Sequence, residues 1–175
     1  MNREEFDHAI RAAGSILNVE EILVIGSQAV HGSIGGQLPE AALRSVEVDV
    51  AALDDDDGSQ ADLIDGSIGE ASMFHESFGF YVQGVVAETA VLPGGWRERL
   101  IQYQSPATGG VVAWCLELHD LWVSKAIAGR PKDREFCRAL LDAGYVERVT
   151  LTARLSAVAG LDTAIVRSVE DMILA

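Results

Sequence analysis

The run Arg44-Ser45-Val46-Glu47-Val48-Asp49-Val50 constrains this chain more than any other segment. β-Branched residues alternate there with carboxylates, which predicts a strand over 46–52. Side chains at i and i+2 of a strand share a face, so Glu47 and Asp49 project together, opposite Val48 and Val50. Two acids on a face inside a domain cost free energy unless something compensates them. A divalent cation is the usual compensation, because carboxylates suit hard ions such as magnesium or manganese. The same alternation describes an ordinary half-exposed edge strand, so the pair gains meaning only from what accompanies it.

The accompaniment begins upstream. Ile22-Leu23-Val24-Ile25 reads as a buried strand that breaks into Gly26-Ser27, a turn whose backbone amides suit a phosphate. A Gly-Ser turn closing one strand and paired acids on the next point to metal-assisted nucleotidyl transfer.

At 175 residues, 49% of them apolar, the chain reads as a single domain, long enough for a proper core and too apolar for disorder. No apolar stretch approaches the roughly 18 residues a membrane helix needs, and Met1-Asn2-Arg3-Glu4-Glu5 is unlike a signal peptide. Two cysteines, Cys115 and Cys137, make no disulfide framework; they read as buried thiols of a cytoplasmic protein. The net charge of −14 argues against non-specific nucleic-acid binding. The cations are clustered, however: Lys125, Arg130, Lys132, Arg134 and Arg138 fall in one short window, as expected of an acidic molecule with one basic mouth.

The expected fold is α+β. A mixed sheet lobe with flanking helices occupies about 1–117, and a helical lobe about 118–175. Asn2 to Leu17 has an amphipathic stripe and a capping-box pair in Asn2 and Glu5. Further strands are expected over 78–87 and 111–116, and a solvated loop at Asp54-Asp55-Asp56-Asp57. Gly129 ends one helix and Pro131 opens the next. His31, His75 and His119 lack metal-ligand spacing, His8 is expected to face solvent, and the three tryptophans read as packing anchors.

The segment Asp120-Leu121-Trp122-Val123-Ser124-Lys125-Ala126-Ile127-Ala128-Gly129-Arg130-Pro131-Lys132-Asp133 resembles a signature of the AbiEii/Men-type nucleotidyltransferases of the DNA polymerase β-like superfamily. In that group a helix supplies a lysine, and an Arg-x-Lys-Asp run opens the next helix. Gly26-Ser27 and Ser45-x-Glu47-x-Asp49 match the other two signatures. Asp65-Gly66-x-Ile68-Gly69-Glu70 and Leu92-Pro93-Gly94-Gly95-Trp96 resemble segments of a small bacterial, toxin-related branch.

The resemblance implies a magnesium- or manganese-dependent enzyme that moves a nucleoside monophosphate from an NTP to an acceptor hydroxyl. It further implies the toxin of a type IV-like toxin–antitoxin pair, with a cognate antitoxin as partner and tRNA 3′ ends as one acceptor, the acidic charge leaving a small-molecule or protein acceptor open. Gly26, Ser27 and Ser45 would then meet the nucleotide, Glu47 and Asp49 the metal, and Lys125 the phosphates. Arg130 and Lys132 would add charge, and Asp133 would orient Lys125 or touch the nucleotide. The 19 residues between Ser27 and Glu47 exceed the compact pattern of that superfamily, and two further departures stand out: Glu47 replaces the usual first aspartate, and no third acid is evident beyond Glu88. They keep open a second expectation, a catalytically degenerate fold that binds a nucleotide or a partner protein.

Overall fold

The computed structural model describes residues 1–55 and 57–175, so the aspartate run is described except at Asp56. Helix α1 (Arg3–Leu17) starts as the sequence requires. Asn2 Oδ1 accepts from the Glu5 amide at 2.9 Å, and Glu5 Oε2 accepts from the Asn2 amide at 2.7 Å. Such a cap is worth about 1 kcal/mol. The helix buries Phe6, Ala9, Ile10 and Ala13, with Phe6 and Ile10 contributing roughly 1.5–3 kcal/mol each.

Five strands follow: β1 (Glu21–Val24), β2 (Glu47–Ala51), β3 (Tyr81–Gly84), β4 (Ile101–Tyr103) and β5 (Val112–Cys115). They form one mixed sheet in the order β3-β2-β1-β5-β4. β2 runs antiparallel to β1 and parallel to β3, while β5 runs parallel to β1. Val48 and Val50 of β2 enter the core, and Glu47 and Asp49 take the opposite face at intermediate exposure. The register that matters most pairs Glu47 with Tyr81 and Asp49 with Gln83 across β2 and β3.

Short helices α2 (Val30–Ser33) and α3 (Glu40–Leu43) lie between β1 and β2. α4 (Ser59–Ile68) packs against β3. Within the aspartate run, Asp55 accepts from the amides of Gln60 and Ala61, and Asp57 from that of Ser59. These two acids therefore cap α4 rather than merely facing water. The strand expected over 78–87 is shorter. α5 (Met73–Phe78) takes its first residue, between Ser72, which caps the helix, and Gly79 at φ 78°.

The C-terminal lobe is helical: α6 (Leu118–Ala128), α7 (Pro131–Asp142), α8 (Arg148–Ser156) and α9 (Thr163–Leu174). Glu117 caps α6, and Gly129 (φ 65°) ends it in the left-handed conformation that glycine adopts without strain. Arg130 then hands over to Pro131 at the start of α7. Trp122 is fully buried and donates from Nε1 to the Cys137 carbonyl at 2.8 Å, fixing α6 on α7. The fully buried Asp120 binds the two lobes together. It accepts two hydrogen bonds from Arg99, at 2.8 and 3.0 Å. Arg154 Nε of α8 lies 3.0 Å from Oδ1, the oxygen that also accepts from Arg99 Nη2, as an ion pair without a directed hydrogen bond.

Both cysteines are buried free thiols, and burial pushes the Cys115 thiol up to about 12. His8 is not solvent-facing as expected. It is half-buried, edge-on to Phe74, Phe78 and Phe80, because α5 folds back over α1. No helix among the described residues is long and apolar enough to cross a membrane.

Candidate active site

All nine residues singled out in the sequence line one seam, where the sheet meets the α6–α7 corner. Two adjoining cavities form it, and Lys125 contributes to both. The first, about 290 Å³, holds Ser27, Ser45, Glu47, Lys132 and Asp133. The second, about 490 Å³, holds Gly26, Asp49 and Arg130.

The turn after β1 is built around Asp49. Gly26 has φ −88° and ψ −168°, a conformation open to any residue. Its need for glycine is spatial, since a Cβ there would lie 1.5 Å from Asp49 Oδ2. Ser27 opens a single 3-10 turn (Ser27–Ala29). The Ser45 hydroxyl is engaged by the Glu47 backbone, accepting from its amide at 3.4 Å and donating to its carbonyl at 3.3 Å. Ser45 thus shapes the entry to β2, and its hydroxyl is already occupied.

The two acids have different surroundings. Both Glu47 oxygens have partners: Tyr81 donates to Oε2 at 2.9 Å, and Lys132 Nζ lies 3.3 Å from Oε1. Burial alone pushes the Glu47 carboxyl up, but the Tyr81 hydrogen bond and the Lys132 and Lys125 charges outweigh it and hold it below the ordinary range. Asp49 has no hydrogen-bond donor among the described residues. Burial pushes its carboxyl up, Lys125 opposes this, and Glu47 adds to it, leaving Asp49 above the ordinary range. The pair therefore splits into an ionised acid and a more easily protonated neighbour.

Lys125 projects from α6 into the seam with its side chain only 13% exposed, and Nζ lies 3.6 Å from Asp133 Oδ1. Asp133 is buried in the first turn of α7, where the helix dipole favours an acid. It also accepts from Arg130 Nε at 2.6 Å and Nη2 at 3.3 Å. One carboxylate thereby orients two cations, as the Gly129-Arg130-Pro131 corner dictates. Arg130 and Lys132 remain more than half exposed at the mouth.

The net charge is unevenly spread. Residues 1–117 carry 19 of the 27 acids and 5 of the 13 Lys and Arg, whereas 118–175 carry 8 of each. The sheet lobe holds the entire −14, and the cations of the seam come mainly from the neutral helical lobe.

Residues 4–158 match the family described as Nucleotidyltransferase of unknown function (DUF6036). The chain belongs to this family. No curated protein and no solved structure matches it.

For a DUF6036 chain, the seam fits a magnesium or manganese ion by the chemistry of its donors. Two carboxylates share one face, and one of them lacks any hydrogen-bond donor. Magnesium is commonly held by one or two carboxylates together with substrate phosphates, rather than by a full protein cage. Among the described residues no group of three His, Cys, Asp or Glu side chains clusters for a metal. Glu88 is exposed in a 3-10 turn (Ala87–Thr89) and lines neither cavity. Three further residues of the seam were not singled out from sequence: Tyr81, Gln83 and Arg44. Tyr81 and Gln83 alternate along β3 just as Glu47 and Asp49 do along β2, but only the pairing of the two strands brings them together.

Proposed function

We propose that this DUF6036 protein transfers a nucleoside monophosphate from an NTP to an acceptor hydroxyl. The observation that carries the reading is the convergence of Glu47, Asp49 and Lys125 on the Gly26-Ser27 turn, from three elements far apart in sequence. In the reaction the acceptor oxygen bonds to the α-phosphorus and the α–β bridging P–O bond breaks. Pyrophosphate leaves with the electron pair, and the hydroxyl proton passes to water. Glu47 and Asp49 hold magnesium, which supplies Lewis-acid stabilisation of phosphate charge when bound.

The chain's own residues position and neutralise. The Gly26-Ser27 backbone and the Ser27 hydroxyl take phosphate oxygens. Lys125, held by Asp133, places a fixed charge where the leaving pyrophosphate becomes more negative. Arg130 and Lys132, at the exposed mouth, close on the phosphates. The resemblance to AbiEii/Men-type enzymes adds a finer reading. It makes the chain a cytoplasmic toxin that modifies tRNA 3′ ends and is restrained by a cognate antitoxin.

A second reading is favoured by one observation: Tyr81 and Lys132 occupy both Glu47 oxygens. In that reading the fold binds a nucleotide or partner without turnover. Incubation of the protein with magnesium, total tRNA and each α-labelled NTP separates the two. Labelled tRNA and released pyrophosphate, both lost in Lys125→Ala, are expected. Binding of an NTP without transfer to tRNA supports the second reading, and no binding of any of the four NTPs refutes the first reading and the nucleotide-binding form of the second.

A further inference from the structure

We infer that Gln83 is the third protein ligand of the divalent cation held by Glu47 and Asp49, its amide oxygen standing where a third carboxylate is missing. The inference rests on the proposed function, and on geometry that the proposal does not use. In the parallel pairing of β2 with β3, Gln83 is the register partner of Asp49, as Tyr81 is of Glu47. Residues 81 and 83 of one strand share a face. The hydrogen bond from Tyr81 to Glu47 Oε2 shows that this face is the one bearing the acids. Gln83 therefore stands beside Asp49 on the same surface, and both line the 490 Å³ cavity together with Gly26 and Lys125.

The surroundings leave this amide free. Gln83 is exposed, and among the described residues its side chain has no hydrogen-bond partner. Tyr81, two residues earlier, is 9% exposed and bonded. Divalent cations with oxygen shells accept Asn and Gln carbonyls as well as carboxylates, and an asparagine beside an aspartate serves magnesium in protein kinases. A neutral third ligand also suits the local charge. Asp49 already sits beside Glu47 with the Lys125 charge opposing their repulsion, and a third acid would add to that repulsion in the empty site. The consequence is a site of low charge whose affinity for the free ion is modest and which fills together with the triphosphate.

Manganese binding to the whole protein, followed by the electron paramagnetic resonance signal of the free ion with no nucleotide present, tests this without reference to activity. Gln83→Ala is expected to weaken binding about tenfold, the lower end of what loss of a metal-supporting group costs. Gln83→Glu is expected to tighten it by a similar factor. In ¹⁵N-labelled wild type, substoichiometric Mn²⁺ is expected to broaden the Gln83 side-chain amide before that of the distant Gln104.

The inference is overturned if Asp49→Asn removes Mn²⁺ binding while both Gln83 variants stay within twofold of wild type. It is equally overturned if the Gln83 amide keeps its linewidth. If Asp49→Asn binds Mn²⁺ as wild type does, the carboxylate pair is not the cation site, and the proposed function falls with it. Should wild-type binding lie below detection, Gln83→Glu must bring it into range, and failure to do so also overturns the inference.

Discussion

Replacing Gly26 by alanine probes the contact on which the site is built. The backbone at Gly26 tolerates alanine, so chain entropy alone favours the change by about 0.4–1 kcal/mol. Space opposes it. The new Cβ would lie 1.5 Å from Asp49 Oδ2, 2.5 Å from Cγ and 2.8 Å from Cβ. Rotation about the Asp49 Cα–Cβ bond relieves the first two contacts but leaves the third, because Cβ moves only with the strand. The turn and β2 must therefore separate. Overpacking of this kind costs about 1–3 kcal/mol, which leaves a net loss of roughly 1–2 kcal/mol after the entropy gain. At about 2–4 °C per kcal/mol for a chain of this size, the melting temperature should fall by roughly 2–8 °C. Gly66→Ala is the control: it sits within α4 with nothing inside 4 Å of the new Cβ, and should raise the melting temperature. Calorimetric scanning of both variants, with Mn²⁺ binding measured alongside, gives the answer. A Gly26→Ala protein as stable as wild type with undiminished Mn²⁺ binding would refute the reasoning.

Lys125→Ala should fold normally and lose about 10²–10³-fold in transfer rate, measured by pyrophosphate release, as expected for removal of a fixed charge from the transition state. Arg130→Ala should lose less, because Arg130 is more than half exposed. Asp49→Asn should loosen magnesium-dependent NTP binding in calorimetric titration while leaving the circular dichroism unchanged. His31, stacked on Phe6 at 4.4 Å and without a partner on either ring nitrogen, is held down to about 4, chiefly by burial. The unfolded chain protonates this residue first, so stability is intact above about 6.5, the ordinary histidine value. It declines as pH falls towards 4, by about 3 kcal/mol in all. Chemical denaturation across that window should show the slope, and His31→Phe should flatten it.

Local chemistry made some of the site readable and left the rest hidden. Glu47 and Asp49 were legible because strand alternation is a property of neighbouring residues. The Lys125–Asp133 relation came from the resemblance carried by Asp120–Asp133, while the helix–helix corner that realises it was legible in Gly129 and Pro131. Tyr81 and Gln83 were not, because nothing local states that β3 pairs with β2 in parallel, or in which register. α5 carried signals that were overlooked, Ser72 at its start and Gly79 at its end, in a segment whose aromatic residues also suit a strand. His8 was misplaced for a related reason: its burial comes from α5, not from its own helix.

Asp120 sets how the seam can admit anything at all. Its carboxylate is fully buried between Arg99 of the sheet lobe and Arg154 of the helical lobe. A clamshell opening about that junction would part Asp120 from Arg99 and break both of their hydrogen bonds, while Arg154, in the same lobe as Asp120, would stay with it. A buried ion pair thus ties the sheet lobe to the helical lobe. Within that frame the mobile part of the mouth is Lys132, tethered by one exposed contact to Glu47 and free to change rotamer on the nanosecond timescale, whereas Arg130 is held twice by Asp133.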